Sequence, residues 1–228
     1  MEKFLENKIA GSIIIGGSNN GDNLKKLTNN KIPVVLIGKL VKDLNIPSVI
    51  IDNRKAVFEL TEYLIKNNKR HMSFINGHKE SFMAMERFRG FKNALKQYGI
   101  KLNNNIIRHG NFSMESGYKL AKSILCENNE IDSVFAASDN IAIDIISFLK
   151  DYNQNLLEKT KIIGFDDIEV AKVIDPLLTT VRIPKAKSGK IGTDLLLKLI
   201  NNKKIINKKI ILEHKLIYKI IGTIDIVR

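Results

Sequence analysis

Apolar residues in this chain fall into short unbroken runs, each followed by a longer stretch where they recur every three or four positions. The first pattern reads as a buried strand and the second as an amphipathic helix. Taken in order, Ile9–Gly17 is a strand running into a Gly-Gly loop, and Asp22–Asn30 is a helix. Ile32–Gly38 is a second strand, with Pro33 at its opening, where a missing N–H does least harm. Ser48–Ile51 is a third, after which Asp52 is placed to cap helix Asn53–Lys66. Strand Met72–Asn76 leads to helix Ser81–Tyr98, stopped by Gly99. A short strand opens at Ile106-Ile107, before helix Met114–Leu125. Strand Ser133–Ala137, helix Ile141–Tyr152, helix Lys187–Ile200 and strands Lys209–Leu212 and Leu216–Ile221 complete the reading.

Strands separated by helices at this spacing predict an α/β fold of right-handed βαβ units around doubly wound parallel sheets. One segment stands out within it, KIIGFDDIEVAKVIDPLLTTV, over Lys161–Val181. It reads as a buried strand, a loop at its carboxyl end carrying Asp166 and Asp167, a helix of about two turns, and a return strand. Ligand-binding residues of open α/β sheets collect in the crevice outside the carboxyl ends of strands. Asp166 sits at such a place, whereas Asp167 reads equally well as the cap of the helix that follows.

At 228 residues, 44% hydrophobic and 27% charged, the chain has material for one or two α/β units with a sizeable core. No run approaches the length of a membrane span, and the first residues lead into no secretory segment. A single cysteine, Cys126, can form no internal disulfide or metal cluster, which points to a reducing cytoplasm. The net charge of +13 invites a nucleic-acid reading, but only seven of the 37 basic residues are Arg. Arg, with its planar fork, dominates bidentate recognition of phosphate and guanine. Lysines scattered along the chain fit a solvated basic surface instead.

Several segments together resemble the effector-binding core of the lactose-repressor (LacI/GalR) family of bacterial transcription regulators. GFDD followed by PLLTTV is similar to the centre of that core. IAGSIII and IPVVLIG resemble its first strands, and IIDNRKA its VDN-R segment, with Lys55 where Gly is usual. NNKRHMSFING, ERFRGFKNALKQYGI, GNFSMESGYKLA and AASDNIAID match further motifs in the family's order. Departures include Lys69-Arg70 for a Gly-His pair, Asn111 for Asp and Asp144 for Gly.

The resemblance implies a periplasmic-binding-protein-like (type I) core of two lobes joined by a three-crossing hinge. Residues 1–69 with 182–213 form the N-terminal lobe, and 70–181 with 214–228 the C-terminal lobe. It implies that the helix-turn-helix head and opening βαβ unit of such regulators lie outside this chain, leaving the first lobe incomplete. Operator DNA is then a partner only through that head, and the core itself pairs as a homodimer. A small effector, a sugar or a nucleoside-like molecule, would sit in the interlobe cleft. Residues matching the family's motifs would hold it: Arg87, Phe112, Ser138, Asp139 and Asp166, with Gly17 and Ser18 from the facing lobe.

Physical chemistry suits these positions. The Arg87 fork can grip hydroxyls or a carboxylate, unless it pairs with a neighbouring acid such as Glu86. The Phe112 ring can stack on a sugar face or base, unless it packs in the core. Asp139 reads as the cap of the helix it opens, leaving Ser138 for the ligand. Glycines at 16 and 17 allow close backbone approach.

Enzyme chemistry finds little footing. G-x-S-x-G, P-loop and G-x-G-x-x-G motifs are absent, and GGSNNG over Gly16–Gly21 lacks the Lys-Ser/Thr pair of a phosphate loop. His71, His78, His109 and His214 have no metal-ligand spacing, and no cofactor is implied. A stand-alone bilobal solute-binding or sensor protein is the alternative reading.

Overall fold

The computed structural model describes residues 9–17, 21–41, 43–111, 114–128, 130–220 and 223–226. By their packing they divide into two units, each assembled from separate stretches of chain. The first takes Met1–Asp52, Glu80–Met83 and Pro184–Glu213, and the second takes Asn53–Lys79, Ala84–Ile183 and His214–Arg228. Helix Asn53–Lys66 thus groups with the second unit, whereas the sequence reading drew the first lobe through residue 69.

The first unit carries a four-stranded parallel sheet of β1 (Ser12–Ile15), β2 (Val34–Ile37), β3 (Ser48–Ile51) and β9 (Lys209–Leu212), in that order. Helix α1 (Gly21–Asn29) covers it through Leu24 and Leu27, packed with Val34, Leu36 and Ile46. A second helix of this unit, α7 (Lys185–Ile200), presents Gly192 and Leu195 as its buried residues. A Cβ at Gly192 would stand 2.7 Å from Ile37 Cδ1, so glycine sets how closely helix and sheet approach.

The second unit is built on the parallel sheet β5-β4-β6-β7, from Ile107–His109, Met72–Asn76, Ser133–Ala136 and Lys161–Ile163. Every residue of β4 and β6 is buried, as expected of central parallel strands covered on both faces. Phe74 lies at their centre, its ring 5.2 Å from Phe135 and 4.9 Å from Phe91. Helices α2 (Asn53–Lys66), α3 (Phe82–Gln97), α4 (Met114–Leu125) and α5 (Asp139–Tyr152) flank this sheet. Gly90 lets α3 lie on α2, because a Cβ there would come within 2.3 Å of the Arg54 carbonyl oxygen.

Three features depart from the sequence reading. Asn153 caps a further short helix, α6 (Gln154–Lys159), accepting a hydrogen bond from Leu156 N–H. The helix expected after Asp167 is only a 3₁₀ turn, Glu169–Lys172, with no side-chain cap. The last of the late strands is antiparallel to its neighbours: β10 (Lys215–Ile220) lies between β8 (Thr180–Arg182) and an unanticipated β11 (Thr223–Ile226). Just before β8, Thr179 bridges Ile163 in parallel, so this sheet continues from β7.

Candidate functional site

At the carboxyl ends of β6 and β7 a connected set of charged and polar groups surrounds Arg87. This arginine lies in the second turn of α3 and is 2% exposed. Its Nε donates to Asn53 Oδ1 at 2.9 Å, one Nη donates to the carbonyl of Ala137, and the other donates to Asp166 Oδ1 at 3.3 Å. The guanidinium carbon stands 3.6 Å from the centroid of the Phe165 ring, a close cation–π stack. Burial pulls the guanidinium below its ordinary pKa, and the Asp166 and Asp139 carboxylates oppose that shift. Surface pairing with Glu86 is overturned: Glu86 binds Arg54 and Arg89 instead.

The GFDD turn supplies the facing wall. Phe165 is fully buried, and the next two residues both have positive φ, +114° at Asp166 and +46° at Asp167. Left-handed backbone at non-glycine residues costs on the order of 1–3 kcal/mol each and collects at functional sites. The ladder holds the turn in place: Gly164 N–H donates to Thr179 O, and Asp166 N–H to Val181 O, both at 2.9 Å. Asp166 keeps about a quarter of its side chain exposed, whereas Asp167 is turned inward onto Arg182 Nε. Asp167 therefore caps nothing; the following 3₁₀ turn opens at Ile168.

Asp139 ties this wall to α5. Its Oδ1 accepts from Thr180 Oγ1 at 2.6 Å and its Oδ2 from Ile168 N–H at 2.9 Å, and its own N–H donates to Phe165 O. Fully enclosed, its carboxyl is pushed up to about 6 by burial, against those two hydrogen bonds. A Cβ on Gly164 would stand 2.2 Å from Asp139 Oδ1, so only glycine fits there. The capping expectation is reversed: Ser138, not Asp139, is the N-cap of α5, its Oγ accepting from Ile141 N–H at 3.3 Å. An adjacent Ser-Asp pair carries two equally good capping side chains, and here the Asp139 oxygens are taken by Ile168 and Thr180.

Arg87, Ser138, Asp139 and Asp166 are thus gathered within the second unit. Phe112 and Ser18 lie outside the described residues. Gly17 belongs to the first unit, where it follows Gly16 in left-handed backbone at the end of β1, at φ +80° and +59°. Sequence reasoning missed Asn53, Phe165, Thr180 and Arg182. Asn53, a polar residue 2% exposed at the start of a helix, carried a faint signal beside the DNR motif. Thr180 lay in a run read only as a strand, and Arg182 just beyond it, at the point where the chain was read as crossing to the other lobe. Among the described residues, no group of His, Cys, Asp and Glu could hold a metal ion. No helix there is long and apolar enough to cross a membrane.

Of Arg87, Phe165, Asp139 and Asp166, only the Asp166 carboxylate stays partly open, and a carboxylate there can accept hydrogen bonds from a polar molecule. Comparison with known proteins agrees. The family described as periplasmic binding proteins and sugar binding domain of LacI family matches residues 1–219. The chain is 30% identical over 217 residues to the HTH-type transcriptional regulator RegA of Clostridium saccharobutylicum, covering 94% of this chain and 65% of that protein. It is 35% identical over 155 residues to the HTH-type transcriptional repressor PurR of Vibrio vulnificus, covering 68% of this chain and 46% of that one. The crystal structure of transcription regulator CcpA of Lactococcus lactis superposes with a TM-score of 0.86 at 29% identity, covering 94% of this chain and 79% of that one. The chain spans 65% of the length of RegA and 66% of that of catabolite control protein A from Priestia megaterium.

Proposed function

Because the chain belongs to the family of periplasmic binding proteins and LacI-type sugar-binding domains, we propose that it is the effector-binding core of a transcriptional regulator. It binds a small polar molecule, a sugar or nucleoside-like effector, and carries out no turnover. The observation that carries this reading is Arg87, enclosed at a sheet's carboxyl end beside the partly exposed Asp166. Three acceptors and the Phe165 ring hold the guanidinium before any ligand arrives, so little side-chain entropy is lost on binding. Asp166 accepts hydrogen bonds from ligand hydroxyls. Asp139, wholly enclosed, positions the turn, and Ser138 fixes the start of α5. On the resemblance, the proposal keeps Phe112, Gly17 and Ser18 as further contacts, within the two-lobe division read from the sequence.

In the whole protein, two such cores pair as a homodimer in the cytoplasm. Effector occupancy shifts the population between two arrangements and re-spaces two DNA-reading heads. The names of relatives such as the HTH-type regulators RegA and PurR support that role. The scattered lysines of these residues supply only weak, salt-sensitive attraction to DNA. Near physiological ionic strength, promoter and scrambled DNA are therefore expected to bind this chain alike.

The test is a metabolite panel of sugars, sugar phosphates and nucleosides screened by thermal shift, followed by calorimetric titration of the hit. Asp166→Asn is expected to weaken the hit roughly ten-fold or more, since hydrogen bonds to a charged group contribute about 1.5–3 kcal/mol. An unchanged affinity in Asp166→Asn removes this site from the effector reading.

A further inference from the structure

At the opposite end of β7 the second unit holds a cavity of about 560 Å³. It opens beside Lys161, the first residue of the strand. Asp166 lies five residues further along, about 16 Å away if the chain is extended. The volume falls in the range of small-molecule sites, about 300–1,000 Å³. Part of its wall is apolar, from Leu157, Ile162 and Leu178, all buried.

The polar part of the wall is rich in lysine. Lys69, Lys159, Lys161 and Lys219 line it, and Lys219 is only 7% exposed. What two of these amines meet is backbone: Lys161 Nζ donates to Lys219 O at 3.1 Å, and Lys69 Nζ to Lys159 O at 3.3 Å. Glu158 and Asp175 also line the cavity, but both are exposed, and neither forms an ion pair with these lysines among the described residues. Burial, with Lys69 nearby, holds the Lys161 amine below its ordinary pKa. Beside Lys161, Thr160 is 5% exposed, and its hydroxyl has no hydrogen-bond partner among the described residues. A buried hydroxyl without a partner costs on the order of 1–3 kcal/mol, and such groups call for an explanation. A lining with several lysine amines, an unanswered hydroxyl and an apolar wall is complementary to one kind of molecule.

We propose that this cavity is a second ligand site, separate from the one beside Arg87, and that it takes a small amphiphilic anion. A carboxylate or phosphate head meets Lys161, Lys219 and the Thr160 hydroxyl, and an apolar body of several carbons lies along Leu157, Ile162 and Leu178. The proposal does not depend on the identity of the effector.

The test titrates hexanoate, hexyl phosphate, inorganic phosphate and hexanol separately into the isotope-labelled chain, followed by amide chemical shifts. Hexanoate and hexyl phosphate are expected to move the Thr160, Lys161, Ile162 and Lys219 amides saturably while leaving Phe165 and Asp166 in place. Hexanol and inorganic phosphate, each lacking half of the chemistry, are expected to bind at least five-fold more weakly. Lys161→Met is expected to weaken hexanoate about ten-fold, and Lys150→Gln, on the exposed side of α5, less than two-fold. Equal binding of hexanol and hexanoate would reduce the cavity to a greasy pocket and overturn the proposal. Shifts scattered over surface lysines, or equal loss in both lysine variants, would overturn it too. Should Lys161→Met fail to fold, the hexanoate-to-hexanol ratio on the unaltered chain decides alone.

Discussion

The two ends of β7 house their cations in opposite ways. Past its carboxyl end, Arg87 is met by the Asp166 carboxylate, a side-chain amide, a carbonyl and an aromatic face. At its amino end, Lys161 meets the carbonyl of Lys219, and three more lysines line the same cavity. A cation countered by the protein's own carboxylate is part of the fold, and removing it strands the partner. A cation countered only by carbonyls is incompletely repaid for its lost water and gains from an anion supplied from outside. The same strand thus runs from a lysine amine met by a carbonyl to an arginine paired with a carboxylate.

Replacing each cation by methionine should break the symmetry of that comparison most sharply. Arg87→Met removes a charged donor from Asp166, Asn53 and the Ala137 carbonyl, and is expected to destabilise the chain by about 3 kcal/mol or more. Urea denaturation measures this, and a loss below about 1 kcal/mol would show that water substitutes for the guanidinium. A change of the same class at the other end, Lys161→Met, is expected to leave stability at pH 7 unchanged or slightly raised, because it removes a charge that burial disfavours.

Between these extremes lies Gly164→Ala. Its Cβ must displace Asp139 Oδ1 or Leu178 Cδ2, at 2.2 and 2.8 Å, and an overpacking cost of about 1–3 kcal/mol is expected. Effector affinity should fall with it, because the turn carrying Asp166 shifts. Loss of stability with affinity intact would separate the turn from the binding surface.

A pH series sharpens the same end. The Asp139 carboxyl is raised to about 6, above its unfolded value near 3.8, so the folded state holds the proton more tightly. Its stabilising contribution is fully present below pH 4 and is lost as pH rises through 6. Relative to Asp139→Asn, the unaltered chain should therefore lose on the order of 2 kcal/mol between pH 4 and 7. Denaturation midpoints at several pH values read this directly, and parallel curves for both proteins would place Asp139 in a more solvated setting.

Much of this was legible in the sequence, for reasons that differ by element. Central strands such as Met72–Asn76 and Ser133–Ala136 declared themselves because strands buried on both faces are unbroken apolar runs. Arg87 and Asp166 could be named as partners of a ligand, but not of each other, because 79 residues separate them in the chain. Local pattern gave Arg87 an acidic neighbour in Glu86, and only the tertiary fold turns that acid toward Arg54 and Arg89. The short helix Gln154–Lys159 escaped because its residues are mostly polar, although Asn153 was a capping signal. The lysine-lined cavity was illegible: Lys69, Lys161 and Lys219 come from three distant segments and looked like members of a solvated basic surface.

The discontinuity of the first unit bears on how the chain is made. Strand β3 is buried at every position, yet its neighbour on one side, β9, pairs Lys209–Leu212 with Ser48–Ile51. About 160 residues must be synthesised between the two, which takes about 8–30 s at the usual 5–20 residues per second. Throughout that interval the Val49-Ile50-Ile51 edge stands unpaired, a template for any strand that reaches it first. Here the nascent chain most needs a chaperone, and here two chains emerging side by side would exchange strands.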